Sequence, residues 1–193
     1  MRCYSCGKLS FSILCTCCQE RLFVPTIRTR SVGTLDVISF FRYATLASLL
    51  HTKHKPEGYR VYKKLGELFF KPFIQEFVEN DAGEVFIVGI DEVVTDGYSH
   101  VALLTHAMKH KQVKPLYAAL LAQNRVNYSG KSLHYRLTHP RDFIYRGKRG
   151  IDVILVDDIM TTGITLQEAH HLLLLHDVNV LFAMTLADVE ERS

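Results

Sequence analysis

The hydrophobic pattern alternates between short runs rich in β-branched residues and longer stretches with apolar residues at helical spacing. Leu35 to Tyr43, rich in Val, Ile and Phe, predicts a first strand, and Ala44 to Leu50 predicts a helix. Tyr59 to Val78 carries Val61, Leu65, Leu68, Phe69, Phe73 and Phe77 at helical spacing, with Pro72 expected to bend or split the helix. Glu84 to Ile90 predicts the next strand, Tyr98 to Lys109 an amphipathic helix, and Lys114 to Leu121 a further strand. From Ala122 to Pro140 the pattern dissolves into a polar, basic stretch, too long for a tight connection and expected to be a lid or a disordered loop. Val153 to Val156 is a short apolar run, Leu166 to Leu175 a helix, and Val180 to Leu186 a last strand. Strands alternating with helices predict an α/β fold with a central, mostly parallel sheet that presents its ligand site at the strands' carboxyl ends.

The most informative stretch is Val153 to Thr165, VILVDDIMTTGIT. Its apolar run suits a buried parallel strand, and Asp157 and Asp158 are expected where that strand emerges. Thr161, Thr162, Gly163 and Thr165 then form a turn of small, hydroxylated residues that opens a helix. Backbone N–H groups at a helix N-terminus converge there and favour a phosphate. Paired carboxylates repel phosphate, but they accept hydrogen bonds from sugar hydroxyls or hold Mg2+, a hard cation that takes oxygen ligands. Strand, acids, turn and helix together describe a sugar phosphate site. The chain has no G-x-x-x-x-G-K-[ST] loop, which argues against a P-loop nucleoside triphosphatase. A phosphorelay receiver also carries VDD at a strand end, but near the start of its domain, whereas this one lies late in the chain.

All five cysteines fall within the first eighteen residues. Cys3-x-x-Cys6-Gly7 and Cys15-x-x-Cys18 make two knuckle pairs whose four thiolates suit tetrahedral Zn2+. Cys17 either replaces Cys15 or Cys18 or stays a free thiol, and the spacing favours Cys15 with Cys18. A segment of this size with few large apolar side chains needs the metal to order itself. Glu20 to Ser31 reads as an ordered linker, which gives a zinc-binding module and linker over residues 1–30 and one main domain over 31–193.

Composition adds bounds rather than identity. The chain has 193 residues, 48% of them hydrophobic and 22% charged, ordinary values for one globular domain with a small attachment. The absence of a long apolar run or signal pattern leads to an expected cytoplasmic location. A net charge of +3 permits a nucleic-acid partner without demanding one.

The string VILVDDIMTTGIT resembles the phosphoribosyl-pyrophosphate (PRPP) motif of type I phosphoribosyltransferases. Joined to a four-cysteine module, it resembles the ComF family, in particular its ComFC type, which acts in natural transformation. Gly97-Tyr98-Ser99-His100 and the positions Arg136, Thr138 and Phe143 look like weaker family counterparts. The resemblance implies a PRPP site made by Asp157, Asp158, Met160, Thr161, Thr162, Gly163, Ile164 and Thr165, with Asp157 and Asp158 as the catalytic acids if transfer occurs. It also implies a cytoplasmic competence factor that handles incoming single-stranded DNA, with other DNA-uptake or recombination proteins as candidate partners. Two departures stand out. The loop that is arginine-rich in relatives carries Asp91, Glu92 and Asp96 here, and Thr138 replaces an amide. Three acids repel pyrophosphate unless Mg2+ intervenes.

The residues give the DNA reading some support of their own. Asn124 to Arg149 mixes cations with Tyr128, His134, Tyr135, Phe143 and Tyr145, a combination that tracks a backbone and stacks bases. Within it Arg125, Tyr128, Lys131, Tyr135 and Arg136 are the expected DNA-contacting residues. Two other readings remain open: a phosphoribosyltransferase acting on a small nucleobase or amine without a DNA role, and a PRPP-sensing regulator.

Overall fold

The computed structural model describes residues 1–80, 83–90, 97–124 and 133–189. Its centre is a six-stranded sheet, and the elements are, in chain order, α1 (Thr16–Arg21), β1 (Arg28–Val32), β2 (Leu35–Arg42), α2 (Tyr43–Leu50), α3 (Gly58–Leu65), a π-helical turn (Gly66–Phe70), α4 (Lys71–Asn80), β3 (Val85–Gly89), α5 (His100–Ala107), β4 (Val113–Leu116), β5 (Leu120–Ala122), α6 (Leu133–Thr138), β6 (Phe143–Tyr145), β7 (Ile151–Met160), α7 (Ile164–Leu175) and β8 (Val178–Asp188). The strands lie in the order β1-β2-β8-β7-β3-β4, all parallel except β1, which pairs antiparallel with β2 at one edge. The expected α/β fold with a mostly parallel sheet and an N-terminal four-cysteine group is therefore the one observed.

The apolar runs become central strands because both faces of the sheet are covered. Every residue of β3 is buried, as are Val153 to Val156 of β7. Alternate side chains feed two cores. Ile87, Ile154 and Val156 join Leu46, Val61, Leu65, Phe70 and Leu104 beneath α2 to α5. Phe86, Val88, Val153 and Leu155 join Leu166, Ala169 and Leu173 of α7 and the β5–β6 pair on the other face.

Three expectations change. The long helix predicted from Tyr59 to Val78 is split, but at the π-helical turn just before Pro72 rather than at the proline itself. Proline lacks the N–H that an α-helix needs at this point, and a wider turn in which the Lys71 N–H reaches back to the Gly66 carbonyl accommodates it. The strand expected over Lys114 to Leu121 breaks at Ala118, whose φ is 51°, so that β4 stays in the main sheet and β5 leaves it to pair with β6. The expected linker contains β1, so position 30, where the sequence places the module boundary, falls inside a strand of the main sheet. Leu14, Cys18 and Phe23 share a core with Phe40 and Phe41 of β2, and the Thr26 N–H donates to the Phe40 carbonyl at 2.8 Å. Among the described residues no helix is long and apolar enough to cross a membrane.

Candidate functional site

β7 continues through the acids rather than ending before them. Its pairing with β3 stops at Val156, while its ladder with β8 runs on to Met160 opposite Asp188. Among the described residues, Asp157 and Asp158 therefore project from a stretch of β7 paired on one side only, at the sheet's carboxyl edge. Side chains alternate along a strand, so adjacent acids face opposite sides of the sheet. Asp158 shares the side of Ile154 and Val156 and meets Tyr62 of α3 and His100 of α5. Asp157 shares the side of Val153 and Leu155, where Arg141 exerts its charge.

Asp158 is buried, with three donors around one oxygen. The Tyr62 hydroxyl donates to Oδ2 at 3.1 Å, Lys53 Nζ lies at 3.5 Å and His100 Nε2 at 3.4 Å. Burial opposes its charge, but Lys53, His100 and the Tyr62 hydroxyl outweigh burial and hold the carboxyl down at about 2. Burial, together with the adjacent charge of Asp158, pushes Asp157 well above the usual carboxylate range, with Arg141 pulling the other way. Burial and the Asp158 charge also raise the Tyr62 phenol, which keeps it a donor at neutral pH. The pair thus carries one charge more readily than two. Asp157 remains half-buried and is the more accessible of the two acids.

The turn after the acids opens α7 at Gly163. Gly163 has φ 81° and sits at the N-cap of α7, the left-handed region where a side chain is strained. A Cβ there would also meet Val32 Cγ1 at 2.5 Å. Gly163→Ala should therefore cost about 2 kcal/mol or more, a fall in melting temperature of roughly 4–8 °C for a chain of this size. A thermal melt checks this, and an unchanged midpoint would mean that the turn relaxes without cost. Arg30 braces the turn from β1 by donating to the Thr161 carbonyl and pairing with Asp188 at 3.3 Å. Thr161, Thr162, Ile164 and Thr165 are half-buried around it. Met160 is packed into the α7-side core, and its carbonyl accepts from the Val189 N–H at 2.8 Å, so it has little to offer a ligand.

The cysteines converge as their spacing predicts. Sγ atoms of Cys3, Cys6, Cys15 and Cys18 all lie within 4.8 Å of one another, with Cys3 to Cys18 at 3.9 Å and Cys6 to Cys15 at 3.7 Å. Tetrahedral Zn–S bonds of about 2.3 Å place sulfurs about 3.8 Å apart, so this group could hold a metal ion. Cys17 is exposed and outside it. Gly7, at φ 72°, makes the first knuckle, and its N–H donates to the Cys3 carbonyl at 2.9 Å. Burial raises the Cys3 thiol, but hydrogen bonds from the backbone of Cys15, Cys6 and Ser5 outweigh it and bring the group to about 6, while burial pushes Cys18 up to about 12.

The expected DNA surface is only partly visible. Arg125, Tyr128 and Lys131 lie outside the described residues, as does the acidic loop with Asp91, Glu92 and Asp96. Arg136 falls on α6, but its side chain is also outside the described part. Tyr135 stacks on His139 with ring centroids 4.0 Å apart. Phe143 and Tyr145, counted among the candidate base-stacking rings, are instead buried in the core beside α7. Arg141 likewise serves the fold, its charge bearing on Asp157 and its backbone N–H, with that of Asp142, donating to Glu168 of α7 at 3.1 and 2.7 Å.

Sequence reasoning missed Lys53, Tyr62 and His100. Lys53 lies in the basic run His51 to Lys55, a pattern that usually marks solvated surface, and Tyr62 carries no signal of its own in the sequence. The one signal was His100, which follows the Gly97-Tyr98-Ser99 step and opens α5 behind the N-cap Ser99.

No protein-family model and no curated sequence matches the chain. Among solved structures it is similar to a hypoxanthine phosphoribosyltransferase from Staphylococcus aureus, with 16% identity over 65% of this chain and 64% of that chain and a TM-score of 0.41. The chain thus spans less than two thirds of that enzyme. It is also similar to an adenine phosphoribosyltransferase from Saccharomyces cerevisiae, with 16% identity over 87% of each chain and a TM-score of 0.40. An orotate phosphoribosyltransferase from Francisella tularensis gives 13% identity over 86% of this chain and 67% of that chain, with a TM-score of 0.37.

Proposed function

We propose that this chain binds PRPP with Mg2+ at the carboxyl edge of the sheet. The 5-phosphate occupies the turn Thr161 to Thr165, and the ribose hydroxyls meet the acidic pair, chiefly Asp157. The observation that carries this reading is the direct succession of two acids at the carboxyl end of a central parallel strand, a left-handed glycine and a twelve-residue helix. Zn2+ on Cys3, Cys6, Cys15 and Cys18 serves as a structural element of the N-terminal module, which is attached to a phosphoribosyltransferase-like domain. Titration calorimetry with PRPP and Mg2+ tests the site. A chain that takes up neither removes the reading.

The wider role that the motifs suggest is a cytoplasmic competence protein of natural transformation that handles single-stranded DNA alongside uptake or recombination proteins. If Arg125, Tyr128, Lys131, Tyr135 and Arg136 contact DNA, affinity should fall with salt with a slope of about 0.7 per phosphate engaged. Three or four cations then mean a loss of roughly 15- to 50-fold between 50 and 200 mM salt. Tyr128→Ala with Tyr135→Ala should weaken binding at constant slope, whereas Lys131→Ala with Arg136→Ala should flatten it. Oligonucleotide anisotropy measures both, and unchanged affinity in the two variants moves the DNA surface elsewhere or removes it. Pyrophosphate release from PRPP with nucleobase or amine acceptors, without any DNA binding, would support a plain phosphoribosyltransferase instead.

A further inference from the structure

We propose that the depression between the helical run α3 to α4 and the end of α5 is a separate anion site. Its ligand is the phosphate chain of a small molecule, either free tripolyphosphate or a nucleoside triphosphate. The site is independent of the reading of the acids and turn. It is an open cavity of about 630 Å³ lined by Lys63, Lys71, His106, Lys109, His110 and Lys111, with Glu67 the one acid among the described lining residues. A volume of this size suits a small ligand rather than a lone ion.

The fold brings these cations together from two elements. Leu65, Gly66 and Lys71 all keep right-handed helical backbone, so α3, the π-helical turn and α4 form one run with no helix end at Lys63 or Lys71. A spacing of four residues puts Lys63, Glu67 and Lys71 on one face of that run, about 12 Å from first to last at 1.5 Å per residue. α5 packs against the same run at Gly66, where a Cβ would come within 2.8 Å of the Ala107 Cβ. The end of α5 then supplies the other cations. The Lys109 N–H donates to the His106 carbonyl at 3.2 Å, and His110 and Val113 exchange backbone hydrogen bonds at 3.0 and 3.3 Å, which holds Lys111 at the tip of a closed turn. His106 is fixed by a 2.6 Å contact between its Nδ1 and the Tyr117 hydroxyl.

The acid in the lining does not offset this charge. Glu67 pairs with Lys64 at 3.9 Å, and among the described residues Lys63, Lys71, Lys109 and Lys111 are exposed and form no ion pair. The dipole of α5 accounts for lysines at its C-terminal end, but not for Lys63 and Lys71, which face them from within a continuous helical run. Like charges around one depression repel, and an anion set between them turns that repulsion into attraction. Phosphate is the fitting group. Lysines meet its oxygens as point charges, and a chain of phosphates can reach ammonium groups spread along the face. A single strand of nucleic acid fits less well, because the described lining contains no Phe, Tyr or Trp on which a base could stack.

Calorimetry in phosphate-free buffer without Mg2+ tests the site, with sodium tripolyphosphate, ATP and a single-stranded oligonucleotide as probes. The wild-type chain should bind tripolyphosphate and ATP, and the tighter of the two identifies a free chain or a nucleotide as the source. Lys109→Gln with Lys111→Gln, and separately Lys63→Gln with Lys71→Gln, should each weaken both ligands about tenfold. These positions are exposed, so the melting temperatures of the variants should stay within about 2 °C of the parent. In the wild-type chain, tripolyphosphate should move the NMR signals of the His106 and His110 imidazoles, a readout that needs no variant. A wild-type chain that does not bind tripolyphosphate, variants that bind it as tightly as the parent, or imidazole signals that stay in place overturn the site. An oligonucleotide that binds more tightly than ATP and loses its affinity in the lysine variants overturns the ligand class and makes this face a nucleic-acid surface.

Discussion

Replacing Cys3 and Cys6 together by serine should take the bound Zn2+ from one per chain to none and unfold the N-terminal module. Four sulfurs already lie near tetrahedral spacing, and Cys3 and Cys18 are buried. Two serines leave a donor set too weak to hold the metal against water, and the folding free energy contributed by metal is lost with it. The damage should spread further than in a free zinc finger. Leu14, Cys18 and Phe23 share a core with Phe40, Phe41 and Phe70, and Tyr4 donates to Glu57 at 3.2 Å. Loss of the module therefore exposes one flank of the sheet, and the melting temperature of the whole chain should fall along with the metal. Elemental analysis and a thermal melt measure the two effects. Stoichiometric zinc in the double variant would remove the assignment, and full metal loss with an unchanged melt would show that the module does not support the sheet.

Saturating PRPP with Mg2+ should raise the melting temperature of the wild-type chain, and Asp157→Asn should abolish most of that rise. A ligand that binds only the folded state at a hundredfold excess over Kd adds about 2.7 kcal/mol, or roughly 5–11 °C for a chain of this length. Asparagine at 157 keeps the size of the side chain and an oxygen able to accept from the Asp158 N–H, a contact of 2.8 Å in the parent. It therefore removes the ionisable carboxyl and little else. Asp158→Ala is a poorer probe. It strands Lys53, His100 and Tyr62 around an empty position, and breaking a buried pair in this way costs about 3–5 kcal/mol by itself. Loss of the PRPP shift in Asp158→Ala is thus expected alongside a lower starting melting temperature. A full PRPP shift in Asp157→Asn places the sugar away from this edge.

Much of the architecture was legible because its signals are local. Continuous apolar runs such as Val85 to Gly89 and Val153 to Val156 can be buried on both faces only inside a parallel sheet, and that is where they lie. Cysteine spacing predicted knuckles, and small residues before a helical apolar pattern predicted the turn at Gly163, though not its left-handed backbone. The split of the long helix was legible in kind, since Pro72 removes a donor, but not in position, because the wider turn forms upstream of it. β1 was missed because Arg28 to Val32 is an edge strand whose residues are polar up to Val32, a pattern that resembles a linker.

By itself the sequence determined the long helices and most central strands, the glycine turn, the convergence of four cysteines and the adjacency of two acids. Each of these follows from residues within about one element's length of one another. Only the tertiary structure decided that the two acids face opposite sides of the sheet, one toward Arg141 and one toward Lys53, Tyr62 and His100. It also decided that Phe143 and Tyr145 serve the core rather than the surface, and that Arg30 braces a turn 131 residues away. The physical reason is the same in each case. Burial and charge depend on what packs against a residue, and in a parallel sheet those neighbours come from crossover connections far along the chain.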